Sequence, residues 1–146
     1  MTHGKGSRMN YKQKLEYLSE YRDEMIKIEG NLTEYEKWFT MGTKATQMLS
    51  FCGSIGSSDN SNKIERAAIE MAKIAQQLDN ECKLAQARRE EILDVIRHKA
   101  KNKRHAEILE MKFIKGMSYT RISMVINKDV RTVQRVIHKA IDSLDI

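Results

Sequence analysis

The chain has 146 residues, of which 40% are hydrophobic and 32% charged, with no proline and a formal charge of +6. That size fits one domain or two small ones and excludes a large catalytic fold, while the apolar fraction excludes full disorder and is low for one long sheet. Proline serves loops and is kept out of helix interiors by ring clash and a missing amide donor, so its absence predicts an all-α protein of long helices.

The amino terminus runs from Met1-Thr2-His3-Gly4 into polar sequence and has no signal-peptide core. No window approaches the roughly 18 apolar residues of a membrane span. A soluble, cytoplasmic protein with no membrane partner is the expectation. The first predicted element follows. Tyr11, Leu18, Met25, Leu32 and Phe39 recur every seven residues, with Leu15, Tyr21, Ile28 and Tyr35 between them. This spacing predicts an apolar-striped helix over about residues 10–39, weakened or bent at Gly30-Asn31. Residues 40–62 carry Gly42, Gly53 and Gly56 among serines, then Asp59-Asn60-Ser61-Asn62. They read as a partly ordered, flexible connector.

A second seven-residue row, Ile64, Met71, Leu78, Ala85 and Ile92, predicts a helix over about residues 63–97. Two such helices joined by a loop are the pattern of an antiparallel, coiled-coil-like hairpin, and either stripe can serve self-association as a homodimer instead. Arg88-Arg89 falls at or near the seam, where the arginine stems lie across its edge. Cys52 and Cys82 stand thirty positions apart with no CxxC and no histidine cluster, so reduced thiols are expected, with neither a metal site nor a cofactor.

Charge divides the chain. Up to Ile96 there are 14 Lys/Arg against 15 Asp/Glu, and beyond it 12 against 5, beginning with the basic run Arg97-His98-Lys99-Ala100-Lys101-Asn102-Lys103-Arg104. A helical arm at 1–97 and a cationic domain at 98–146, suited to a polyanion such as nucleic acid, are the predicted division.

Within 98–146 three short helices are expected at about 104–115, 119–126 and 130–144, separated at Gly116 and Asn127. Ser118 and Asp129 are suited to cap the second and third. The step from Ile126 to Val130 has the length of a helix-turn-helix turn, with Asn127 able to take the left-handed backbone. In the third helix Val133, Val136 or Ile137, Ala140 and Leu144 make an inward stripe. Arg131, Thr132, Gln134, Arg135 and His138 are the candidates for reading base edges in a major groove, where Arg matches guanine and Gln matches adenine. Lys99, Lys101, Lys103, Arg104, Arg121, Lys128 and Lys139 are the candidates for phosphate. No serine, cysteine or carboxylate stands in a specific relation to His138, so no catalytic residue is assigned and no enzyme is expected.

The run from Ile108 to Ser123, followed by Asp129-Val130-Arg131-Thr132-Val133-Gln134-Arg135 and Lys139-Ala140, resembles region 4 of the sigma-70 family as found in small phage- or prophage-encoded regulators. Residues 45–50, the Gly/Ser turn and the helix ending at Ile96 are similar to the upstream part of such proteins, so the resemblance covers about two-thirds of the chain. It implies transcriptional control through promoter-like double-stranded DNA, with contact to host RNA polymerase as an option. Two departures stand out: Arg121-Ile122-Ser123 replaces an acidic residue followed by Ile-Ala, which removes a capping box with Ser118, and Tyr119 replaces a tryptophan. Nothing resembles sigma region 2, so a complete initiation factor is not expected. A small terminase-like packaging protein and a protein-only helical adaptor share the same composition.

Overall fold

The computed structural model describes residues 8–52 and 57–146, with side chains given outside 49–60. The described chain is all-helical. Helix α1 spans Tyr11–Cys52, α2 Ser57–Lys99, α3 Lys103–Leu109, α4 Tyr119–Ile126 and α5 Val130–Asp142, and a π-helical turn at Glu110–Ile114 follows α3.

The predicted connector at 40–62 is corrected: α1 continues to Cys52 and α2 begins at Ser57, so most of that segment is helix. Gly53 and Gly56 lie outside the described residues. Tertiary packing supplies the reason for the longer α1. Gly42 faces Ala67, and a Cβ at Gly42 would stand 3.2 Å from the Ala67 Cβ. With Ala45 and Ala67 buried, small residues let the two helices approach closely. That contact outweighs the cost of about 1 kcal/mol for a glycine in a helix.

The contacts divide the chain into two compact units, one formed by Met25–Leu84 and the other by Met1–Glu24 with Ala85–Ile146. Within Met25–Leu84, Asn31 donates to the Glu81 carboxylate and Gly42 meets Ala67, so rising numbers on α1 meet falling numbers on α2. Ile28, Ala45, Ala67 and Ile74 are buried, whereas Leu32 and Phe39 are 45% and 57% exposed. Two helices bury one seam, and the apolar stripe read from the sequence is wider than that seam. Asn31 and Trp38 take the half-buried positions beside Leu32 and Phe39, and Arg66 lies over the Trp38 ring at 5.5 Å.

The second unit holds the larger core. Leu18 of α1 and Ile92 and Ile96 of α2 are buried in one cluster with Ile108, Leu109, Phe113, Ile114, Ile122, Val133, Ile137, Ala140, Ile141 and Leu144. Arg88 bridges Glu20 and Glu91 at 3.5 and 3.9 Å, which is how the seam accommodates its arginine.

The helix expected over 104–115 changes pitch. Lys115 N–H donates to the Glu110 carbonyl at 3.0 Å, a five-residue bond. The buried pairs Ile108-Leu109 and Phe113-Ile114 are five apart, and the wider turn carries both pairs into the core. Gly116 then reverses the chain with φ +67°, and a Cβ there would stand 2.6 Å from Cζ of Arg22. Gly116→Ala is expected to lower stability by about 1–2 kcal/mol from the backbone alone, before any displacement of Arg22. Urea unfolding at constant m-value measures it.

Candidate nucleic-acid interface

Local chemistry fixes the α4–turn–α5 unit. The Ser118 hydroxyl accepts the Arg121 N–H at 3.1 Å and starts α4. Asn127 ends it in the left-handed conformation, φ 56° and ψ 48°, and its N–H donates to the Ser123 carbonyl. Asp129 starts α5 by accepting the Thr132 N–H at 3.1 Å. Hydrogen bonds from Thr132, first from its side chain and then from its backbone, hold the Asp129 carboxyl below its ordinary value of 3.8. A depressed carboxyl contributes stability above its unfolded pKa and loses it as pH falls through the native value. The stability gap between the wild type and Asp129→Ala is therefore expected to be full well above pH 3.8 and to close below it, as read by denaturant midpoints across an acid series.

Helix α5 has two sides. Val133, Ile137, Ala140 and Ile141 are buried. Arg131, Gln134, Arg135 and His138 are exposed, and at 3.6 residues per turn they fall within an arc of about 100° separate from the buried one. Among the described residues Arg131 and Arg135 make no ion pair, and the Arg135 charge adds to the lowering of the Asp129 carboxyl pKa. Thr132 differs from its neighbours: it is half-buried and its N–H is used by the cap.

The phosphate candidates lie on several elements. Arg121 lies in the first turn of α4, and Lys128 in the turn before α5; both are exposed. Lys139 lies in the last turn of α5, and together with Lys101 it acts on His105, whose pKa is lowered by burial first and then by these two cations. Arg104 borders a small cavity of about 110 Å³ with Met111 and Ile126. Lys103 lines a recess together with Arg97, Glu107 and Glu110, and there Glu110 pairs with Arg97 at 3.5 Å. Lys99, exposed at the end of α2, gives its carbonyl to the Asp145 N–H at 3.1 Å.

One part of this surface has no local signal in the sequence. The Tyr11 ring packs on His138, with centroids 4.3 Å apart and planes inclined by 30°. Lys14, 8% exposed, donates to the Asp142 carbonyl at 2.8 Å near the end of α5. The Met9 N–H donates to the Ile146 carbonyl at 3.2 Å, and Arg8 pairs with Asp145. Burial, then the neighbouring Tyr119 and Asp142, raise the Tyr11 hydroxyl pKa.

Among the described residues no three His, Cys, Asp or Glu side chains converge as a metal site, and no helix is long and apolar enough to cross a membrane. The chain matches no protein-family model, no curated protein and no solved structure.

Proposed function

We propose that the protein is a phage- or prophage-type transcriptional regulator in which a long helical hairpin precedes a three-helix, sigma region 4-like helix-turn-helix module that binds specific double-stranded DNA. The observation that carries this reading is α5 itself: a capped helix buried on one side and presenting Arg131, Gln134, Arg135 and His138 together on the other. Arginine and glutamine are the side chains whose donor and acceptor geometry matches guanine and adenine in the major groove. Arg121 and Lys128, at the start of α4 and in the turn, are suited to backbone phosphates, and Lys139, Lys101 and Arg104 extend the cationic surround. The resemblance over residues 108–140 points the same way and adds contact with host RNA polymerase. The apolar side chains left open in Met25–Leu84, Leu32 and Phe39 among them, suit that part to homodimer formation, which would add avidity.

Unbiased selection of duplexes by the purified full chain, with its mass in solution measured alongside, tests this. The expected result is enrichment of one sequence by a monomer or dimer, with affinity falling as salt rises by about 0.9 in log–log slope per phosphate neutralised. Ring-sized oligomers selecting a packaging-type site would favour the terminase-like reading. No duplex affinity at low salt would leave only a protein-binding adaptor.

A further inference from the structure

We propose that Tyr11, in the first turn of α1, is a positioning residue for base reading: its ring fixes the imidazole of His138 as the fourth reader on α5, beside Arg131, Gln134 and Arg135. The inference rests on the DNA-reading role proposed above. An exposed histidine on a helix ordinarily samples several rotamers, and ordering it upon binding costs conformational entropy. Here one face of the ring lies on Tyr11 at a centroid distance of 4.3 Å. The ring is thereby ordered before any DNA arrives, and its nitrogens bond to no other described residue.

Tyr11 is itself held in place. Asn10 and Gln13 cap the start of α1 reciprocally, with the Gln13 N–H donating to Asn10 Oδ1 at 2.9 Å and the Asn10 N–H donating to Gln13 Oε1 at 3.0 Å. Lys14, one turn on, ties the same segment to the end of α5 through the Asp142 carbonyl. The chain therefore uses a residue 127 positions away to orient a side chain on the reading face. From Arg131 to His138 the helix advances by about 10 Å. At about 3.4 Å per base pair, His138 meets the duplex roughly three base pairs from Arg131.

The experiment is duplex selection by the full-length wild type, Tyr11→Phe, Tyr11→Leu, His138→Ala and the Tyr11→Leu/His138→Ala double variant, each checked for helicity and melting temperature. Tyr11→Leu keeps apolar packing at the start of α1 and removes the flat ring; Tyr11→Phe keeps the ring. The expected result is that Tyr11→Leu and His138→Ala lose preference at the same base pair by about five-fold or more. The double variant loses no more than either single one, and Tyr11→Phe retains the preference. If Tyr11→Leu weakens all duplexes equally and leaves that position discriminated, Tyr11 is only structural and the proposal is overturned. It is equally overturned if His138→Ala leaves preference at every position intact. A wild type that enriches no sequence removes the DNA-reading role itself, a result distinct from the other two.

Discussion

A fragment of residues 98–146 is expected to show no cooperative unfolding transition, although it contains all three short helices and every residue of the α4–turn–α5 unit. Its core is incomplete. Leu18, Ile92 and Ile96 are each 0% exposed in the cluster that also buries Val133, Ile137 and Ala140. Removing one buried Leu or Ile side chain to alanine costs about 2–5 kcal/mol, and a domain holds only about 5–15 kcal/mol in total. Losing three at once exceeds what a short three-helix unit can supply. In the full chain, Leu18→Ala is expected to cost about 3 kcal/mol. Amide exchange should report that loss at Val133 and Ile137, whose burial depends on the same cluster. A fragment that melts cooperatively near the temperature of the full chain would show that the first two helices add nothing to this core.

Arg135→Ala is expected to relax sequence preference at one base pair by about 1–3 kcal/mol while leaving other positions discriminated. Lys128→Ala should weaken all duplexes alike and reduce the salt slope by about 1. The contrast follows from placement. Arg135 stands in the exposed arc of α5 with Arg131 and Gln134, where a guanidinium can address two acceptors on one guanine edge. Lys128 stands exposed in the turn, outside that helix, and under the proposed function its point charge is assigned to backbone phosphate. Selection with each variant at two salt concentrations separates the two behaviours. If Arg135→Ala keeps the full preference and merely binds more weakly, its base-reading role is wrong.

What the sequence made legible was local. The limits of α4, the start of α5, the caps at Ser118 and Asp129 and the left-handed Asn127 all depend on hydrogen bonds and torsions within a few residues. The segment after Phe39 was not legible, because glycine and serine signal a loop unless a second helix comes close enough to need a small residue, and Ala67 is 25 positions from Gly42. The π-helical turn was likewise hidden, since its register follows from burying Ile108-Leu109 and Phe113-Ile114 together. Charge changes at Arg97 because surface composition changes there; the core takes no notice of it and draws in Leu18, Ile92 and Ile96. The contact of Tyr11 with His138 joins opposite ends of the chain, beyond the reach of any spacing rule.

The joining of both chain ends in one core has a kinetic meaning. Leu18 is made early and waits for partners at Ile108 to Leu144, so these contacts close over a long stretch of chain. Such contacts are costly to form from a flexible chain, because closure entropy must be met before any burial is gained. Pairing of α1 with α2 inside Met25–Leu84 shortens that span, because sixty of the intervening residues pack among themselves. During synthesis the residues of that helical pair are all available before Leu144 is made, whereas the burial of Leu18 with Leu144 has to wait for it. A chain that has not yet reached Ile137 to Leu144 leaves Leu18, Ile92 and Ile96 without the partners that bury them.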